Sequence, residues 1–262
     1  MPQAQPTFQL HVPQWRLAAL GSAMLTDWHA TGVFVPCWRL YWCAAPECAW
    51  IRGRLTRRYW LSPDCFTMIA PNTYVVAGLE RPVHHMWFHF DAGPPYDRAT
   101  NWIGQLQLTG PQRRDAEDLA AILEDKGLQQ ASHPAGVCIS EILSRGMRCV
   151  PDELLKEGTV DSRLTEALQI ARADLRHTPS SLARRLGVGA TTLNRIFQTG
   201  LGLSPGRVLG LLRVERAREL LSNTRNDIST IAEICGYCDR HHFTRRFTEA
   251  YGMGPAAYRE HA

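Results

Sequence analysis

At 262 residues the chain is long enough for two modest domains, each with a core of its own. Its 45% hydrophobic and 21% charged residues are those of an ordinary folded protein, which excludes a disordered chain. No apolar run reaches the roughly 18 residues a membrane span needs, so no membrane role is expected. The formal charge of +4 is unevenly placed: residues 161–262 hold 15 Arg, no Lys and 10 acidic residues, a basic surplus absent from the first 160. Such a surplus is the electrostatic footprint of a polyanion-binding domain. All eight Trp precede residue 103, so the two halves are built for different work.

Met1 to Gln14 lacks a basic start leading into an apolar stretch, and is not expected to be a signal peptide. The expected location is the cytoplasm, where most of the eight cysteines would be free thiols. From Phe8 to about Thr109 short aromatic and β-branched runs alternate with Pro and Gly clusters. The runs include Cys37–Cys43, Phe66–Ile69 and Met86–Phe90; the breaks include Ser62-Pro63-Asp64 and Gly93-Pro94-Pro95. Many short strands at close spacing predict a barrel or sandwich over residues 1–110. From Arg113, Ala116, Leu119, Ala120 and Leu123 recur at helical spacing, with Gly127 as the stop. A second helix is predicted over Val137–Val150 and a linker over Pro151–Thr159, so residues 111–160 form a helical connector.

Residues 161–262 are helical and contain one pattern twice. Thr178, Ala183 and Gly187 return as Asp227, Ala232 and Gly236 at an offset of 49. Leu193, Arg195, Phe197, Gly202 and Pro205 return as Phe243, Arg245, Phe247, Gly252 and Pro255 at 50. Thr178 and Asp227 suit helix N-caps, and Pro179 suits the first helical position. Gly187 and Gly236 allow the positive φ of a sharp turn. Leu193/Phe197 and Phe243/Phe247, each an i, i+4 pair, anchor a second helix. Two helix-turn-helix units are therefore predicted. Between them Val208, Leu212, Val214, Ala217, Leu220 and Leu221 mark a long joining helix with these residues roughly on one face.

The second helix of such a unit enters the major groove of double-stranded DNA by its N-terminal part. Opposite the anchoring pairs stand Thr191, Asn194, Arg195 and Gln198 in the first copy, and Arg240, His241, Thr244 and Arg245 in the second. Arg can pair with guanine, Asn or Gln with adenine, and Thr can touch a thymine methyl. Arg184, Arg185, Arg207 and Arg246 are candidates for phosphates, which position without specifying.

In the first half, strand alternation puts His85, Trp87 and His89 on one face and Met86, Phe88 and Phe90 on the other. A Trp flanked by imidazoles suits stacking on a sugar ring; the alternative is that Trp87 is barrel core. Arg39, Tyr41 and Tyr74 are further pocket candidates. No cofactor or metal is expected. There is no His-x-His pair with a placed carboxylate, and Cys37, Cys43, Cys48 and Cys65 lack paired Cys-x2-Cys spacing. Cys235-x2-Cys238 has that spacing but no second pair near it. The rival reading is an enzyme or DNA-repair protein whose metal- or thiol-bearing N-terminal domain carries a DNA-targeting tail.

The doubled pattern resembles the AraC/XylS family of bacterial transcription regulators. The residues that carry the resemblance are Leu182-Ala183-x3-Gly187, Leu193-x-Arg195-x-Phe197, Arg213-Val214-x2-Ala217-x2-Leu220-Leu221, Ile228-x2-Ile231-Ala232-x3-Gly236-Tyr237, Phe243-x-Arg245-x-Phe247 and Pro255-x2-Tyr258-Arg259. Ser62–Asn72 and His85–Phe90 resemble the hairpin and aromatic strand of that family's cupin-like sensor barrel. The resemblance implies two helix-turn-helix units joined by a long helix, a cupin-like barrel, and dimerisation through the helix from Arg113. It also implies a small-molecule effector such as a sugar, RNA polymerase as a partner, a homodimer, and activation of carbohydrate-related genes. The chain departs from the family at Gly189, where a serine cap is usual, and at Thr248-Glu249, where basic residues are usual.

Overall fold

The computed structural model describes residues 15–28, 30–54, 56–126, 133–156 and 161–261. Gly127, the linker beyond residue 156 and the segment Met1–Gln14 lie outside them. The N-terminal half forms two antiparallel sheets. One orders β1 (Arg16–Leu25), β8 (Val83–Asp91), β3 (Trp38–Cys43), β6 (Cys65–Ile69) and β9 (Ile103–Gln107) side by side. The other orders β2 (Ala30–Val33), β7 (Val75–Leu79), β4 (Ala49–Gly53) and β5 (Tyr59–Trp60). This is the cupin-like barrel expected.

Alternation along β3 and β8 sorts the side chains into two layers. Trp38, Leu40, Trp42, Met86, Phe88 and Phe90 face outward and are covered by α1 (Gly110–Lys126) and α2 (His133–Met147). The helices contribute Ala116, Leu119, Ala120, Leu123, Ile139 and Leu143 to that layer. Tyr41 and Cys43 turn inward, towards Ile51, Val75 and Ala77 of the second sheet. The apolar face of α1 is thus taken up by its own barrel, and its outer face shows Arg114, Asp115, Asp118 and Glu124.

The C-terminal half is all helix: α3 (Ser162–Ala173), α4 (Pro179–Arg185), α5 (Ala190–Leu201), α6 (Pro205–Asn223), α7 (Ile228–Ile234), α8 (Arg240–Tyr251) and α9 (Pro255–His261). The joining helix α6 differs from the expected one-faced helix. Val208, Leu209 and Leu212 enter the core of the first unit, and Val214, Ala217, Leu220 and Leu221 enter that of the second. It lends each unit half its length on a different face, which blurs any single apolar stripe.

The halves meet along a continuous seam. Phe34, fully buried, belongs to the core of the first unit. The Arg172 side chain of α3 donates to Asn72 Oδ1. Thr100 Oγ1 donates to the carbonyl of Gly200 near the end of α5 (3.1 Å), and β2 runs beside α6 and α8. A cleft of about 730 Å³ opens along the seam between Phe34 and Pro36 on one side and Arg172, Leu212, Glu215 and Glu219 on the other.

Candidate nucleic-acid interface and effector site

Both helix-turn-helix units are built from local rules. Thr178 caps α4 in a reciprocal box with Ser181, and Pro179 opens the helix. Asp227 caps α7 by accepting from the Ser229 and Thr230 amides. Gly187, Gly236, Gly202 and Gly252 all adopt positive φ, the first two in the turns and the others at the ends of α5 and α8. Leu193, Phe197, Phe243 and Phe247 are buried and fix the two second helices.

The outward faces of those helices carry the expected readers. Thr191, Asn194 and Arg195 on α5, and Arg240, His241 and Arg245 on α8, are exposed, with Thr244 half-buried. Gln198 stands apart from this group. It lies a turn further along α5, in a cleft at the seam with Arg52, Arg54 and Tyr74. Of the phosphate candidates, Arg184 and Arg185 are exposed, Arg246 pairs with Glu249 (2.8 Å), and Arg207 donates to the Tyr74 hydroxyl (3.0 Å) across the seam.

The two second helices start differently. Gly189 caps α5 with no side-chain bond, whereas Asp239 caps α8 by accepting from the His242 amide at 2.7 Å. Asp239→Ala should cost about 1 kcal/mol, and Gly189→Ser should gain a few tenths. The Gly189 backbone is extended, and a Cβ there meets nothing within 4 Å. Urea unfolding of both variants checks this; a gain from Gly189→Ser as large as the Asp239→Ala loss would contradict it.

Sequence reasoning missed Arg213. Its Nε donates to the Leu175 carbonyl (2.8 Å) and its Nη2 to that of His177 (3.1 Å), while its guanidinium lies 5.9 Å from the Tyr237 ring centroid. It ties the approach to the first unit onto α6 and the second unit. The Arg-Val motif contained it, but only long-range contacts give it this task.

In the barrel, Arg39, Tyr41, His85, Trp87 and His89 do come together on the inner face of β3 and β8. Register pairs Arg39 with His89 and Tyr41 with Trp87. His89 Nε2 and the Tyr41 hydroxyl share a hydrogen bond of 3.1 Å. His85 Nδ1 donates to the Trp42 carbonyl (3.1 Å), and its ring lies against Trp28, Tyr41 and Trp87. Burial drives the His85 imidazole down to about 4. Burial, then the charge of Arg39, drives His89 to about 3. Both rings are neutral at pH 7. Tyr74 is not with them: it packs against the first helix-turn-helix core and under Arg207.

Among the described residues no group of three or more His, Cys, Asp or Glu side chains is placed to hold a metal. Cys43, Cys48, Cys65 and Cys235 are buried. Burial pushes the Cys43 and Cys65 thiols up, and Cys235 to about 12, which keeps them protonated. Cys235 is core, whereas Cys238 is exposed.

Residues 182–261, which span both units, match the sequence profile of a helix-turn-helix domain family. The chain is similar to the HTH-type transcriptional activator RhaS of Pectobacterium carotovorum, at 26% identity over 174 residues, 64% of this chain and 62% of that protein. It is also similar to the Arabinose operon regulatory protein of Escherichia coli, at 26% over 191 residues, 68% and 65% of the two chains. It thus spans less than two thirds of these relatives' length. Over 95% of this chain and 98% of the other, the fold follows that of ToxT from Vibrio cholerae, with a TM-score of 0.65 at 9% identity. Barrel, joining helix and doubled motif agree with these likenesses, and the chain resembles the AraC/XylS family over its helix-turn-helix half.

Proposed function

We propose that the chain is a ligand-responsive, sequence-specific DNA-binding transcription regulator. The observation that carries this is the pair of capped second helices whose outer faces leave Asn194, Arg195, Arg240, His241 and Arg245 exposed. Their different side chains read different bases. Residues 1–110 sense the effector, 111–160 connect, and 161–262 bind DNA. The activators among the relatives favour activation through RNA polymerase, with a sugar or other small polar molecule as effector, in the cytoplasm. The protein acts by binding rather than by catalysis. Two copies would pair through α1, whose outer face is charged, so pairing would weaken with salt.

Footprinting on the DNA upstream of its own gene should show two adjacent protected major grooves per protomer, and the affinity should fall steeply with salt. Absence of sequence-selective binding would sink the reading. Arg245→Ala should cost about 1–3 kcal/mol of binding and relax preference at one base pair. An equal loss on every sequence would make Arg245 a phosphate contact instead.

A further inference from the structure

Arg39 is fully buried between the sheets. Its Nη2 donates to the Thr73 carbonyl at 2.8 Å, but Nε and Nη1 have no hydrogen-bond partner and no solvent. Among the described residues no carboxylate forms an ion pair with it: Glu215, whose charge reaches the neighbouring Tyr41 and Cys37, already has its oxygens on Arg218 (2.7 Å) and the Tyr251 hydroxyl (3.0 Å). The rings beside Arg39 are those of Tyr41 and His89, both neutral. A guanidinium deprived of water and of a counter-charge is expensive, and two idle donors add to the cost. A neutral sugar would satisfy the donors and leave the charge. An anion would satisfy both.

We infer that the barrel takes a small carboxylate, anchored on Nε and Nη1 of Arg39 and flanked by the rings of Tyr41 and His89. This rests on the reading of the barrel as the effector site and narrows it from small polar molecules to organic acids. Trp28, which packs on Tyr41 and His85, is half-buried, as are Trp87 and His89. The carboxylate would also stand within electrostatic range of Glu215 on α6, the helix shared by both DNA-reading units. Its arrival therefore adds like-charge repulsion at the point where barrel and joining helix meet.

The test uses the full chain and acetate, the smallest carboxylate. Sodium acetate should raise the melting temperature by roughly 2–4 °C over sodium chloride of equal ionic strength, and the rise should saturate. Acetamide should not do this. Arg39→Met should lose the acetate effect, and Arg39→Lys should keep part of it. Saturation-transfer NMR on the wild type is independent of how the variants fold: irradiating the aromatic protons should attenuate the acetate methyl. Acetate, chloride and acetamide acting alike, with no transfer to the methyl, would overturn the site. DNA binding is read separately, by footprinting without added acid, so that failure would leave the DNA-binding reading intact.

Discussion

Phe34→Ala is expected to cost about 3–4 kcal/mol and to loosen the barrel from the helical half. Phe34 follows β2 of the barrel, yet its ring is fully buried in the core that holds Leu182, Leu193 and Phe197. Truncating a core Phe removes its transfer energy and leaves a cavity, together about 3–5 kcal/mol. Part of that could be recovered by collapse, but the adjoining cleft lets water in instead. For a chain of this size the loss corresponds to roughly 10 °C in melting temperature. Calorimetry should show the wild-type transition splitting in the variant, as the halves begin to melt independently. A loss below about 1 kcal/mol with one unsplit transition would mean that the seam does not couple the halves.

The second large effect is expected at the turn of the second unit. Gly236 has φ +74°, and a Cβ placed there would lie 2.7 Å from the Leu175 carbonyl oxygen and 2.9 Å from its carbon. That carbonyl cannot withdraw freely, because Arg213 holds it and the carbonyl of His177. Gly236→Ala therefore combines a left-handed conformation, costing about 1–2 kcal/mol, with a backbone clash. The total should be about 3 kcal/mol. Gly187 is the matched control: φ is +65°, and nothing lies within 4 Å of its Cβ position. Gly187→Ala should cost only about 1 kcal/mol. Urea denaturation of the pair decides; equal losses would show that the Leu175 segment yields.

The doubled motif was legible in the sequence because each of its positions answers to a local rule. A cap needs an oxygen, a sharp turn needs positive φ, and a buried helix face needs apolar side chains four residues apart. The alternation that set Trp87 and the two histidines inward was legible for the same reason. What could not be read locally were the contacts across the seam. Asn72 with Arg172, Thr100 with Gly200, and Tyr74 with Arg207 join residues 100 to 133 positions apart. By sequence alone Tyr74 therefore falls among the barrel pocket candidates, whereas it packs against the first helical core and under Arg207. The joining helix misled in a different way. Its apolar residues serve two cores, so no single periodicity describes them. Arg39 could be nominated from its strand, but only three-dimensional packing shows that two of its donors are idle.

Because α6 is embedded in both cores, it also acts as a ruler. If both units read DNA, the distance and angle between their reading faces belong to the protein and are not set anew on each site. One base pair inserted between the two half-elements would shift the second by about 3.4 Å and turn it by roughly 34° around the duplex. A rigid nineteen-residue helix has little slack with which to follow. Base changes inside a half-element weaken one set of contacts, whereas a changed spacer takes one reader out of its groove. The spacer length is then as much a part of the operator as the bases on either side of it.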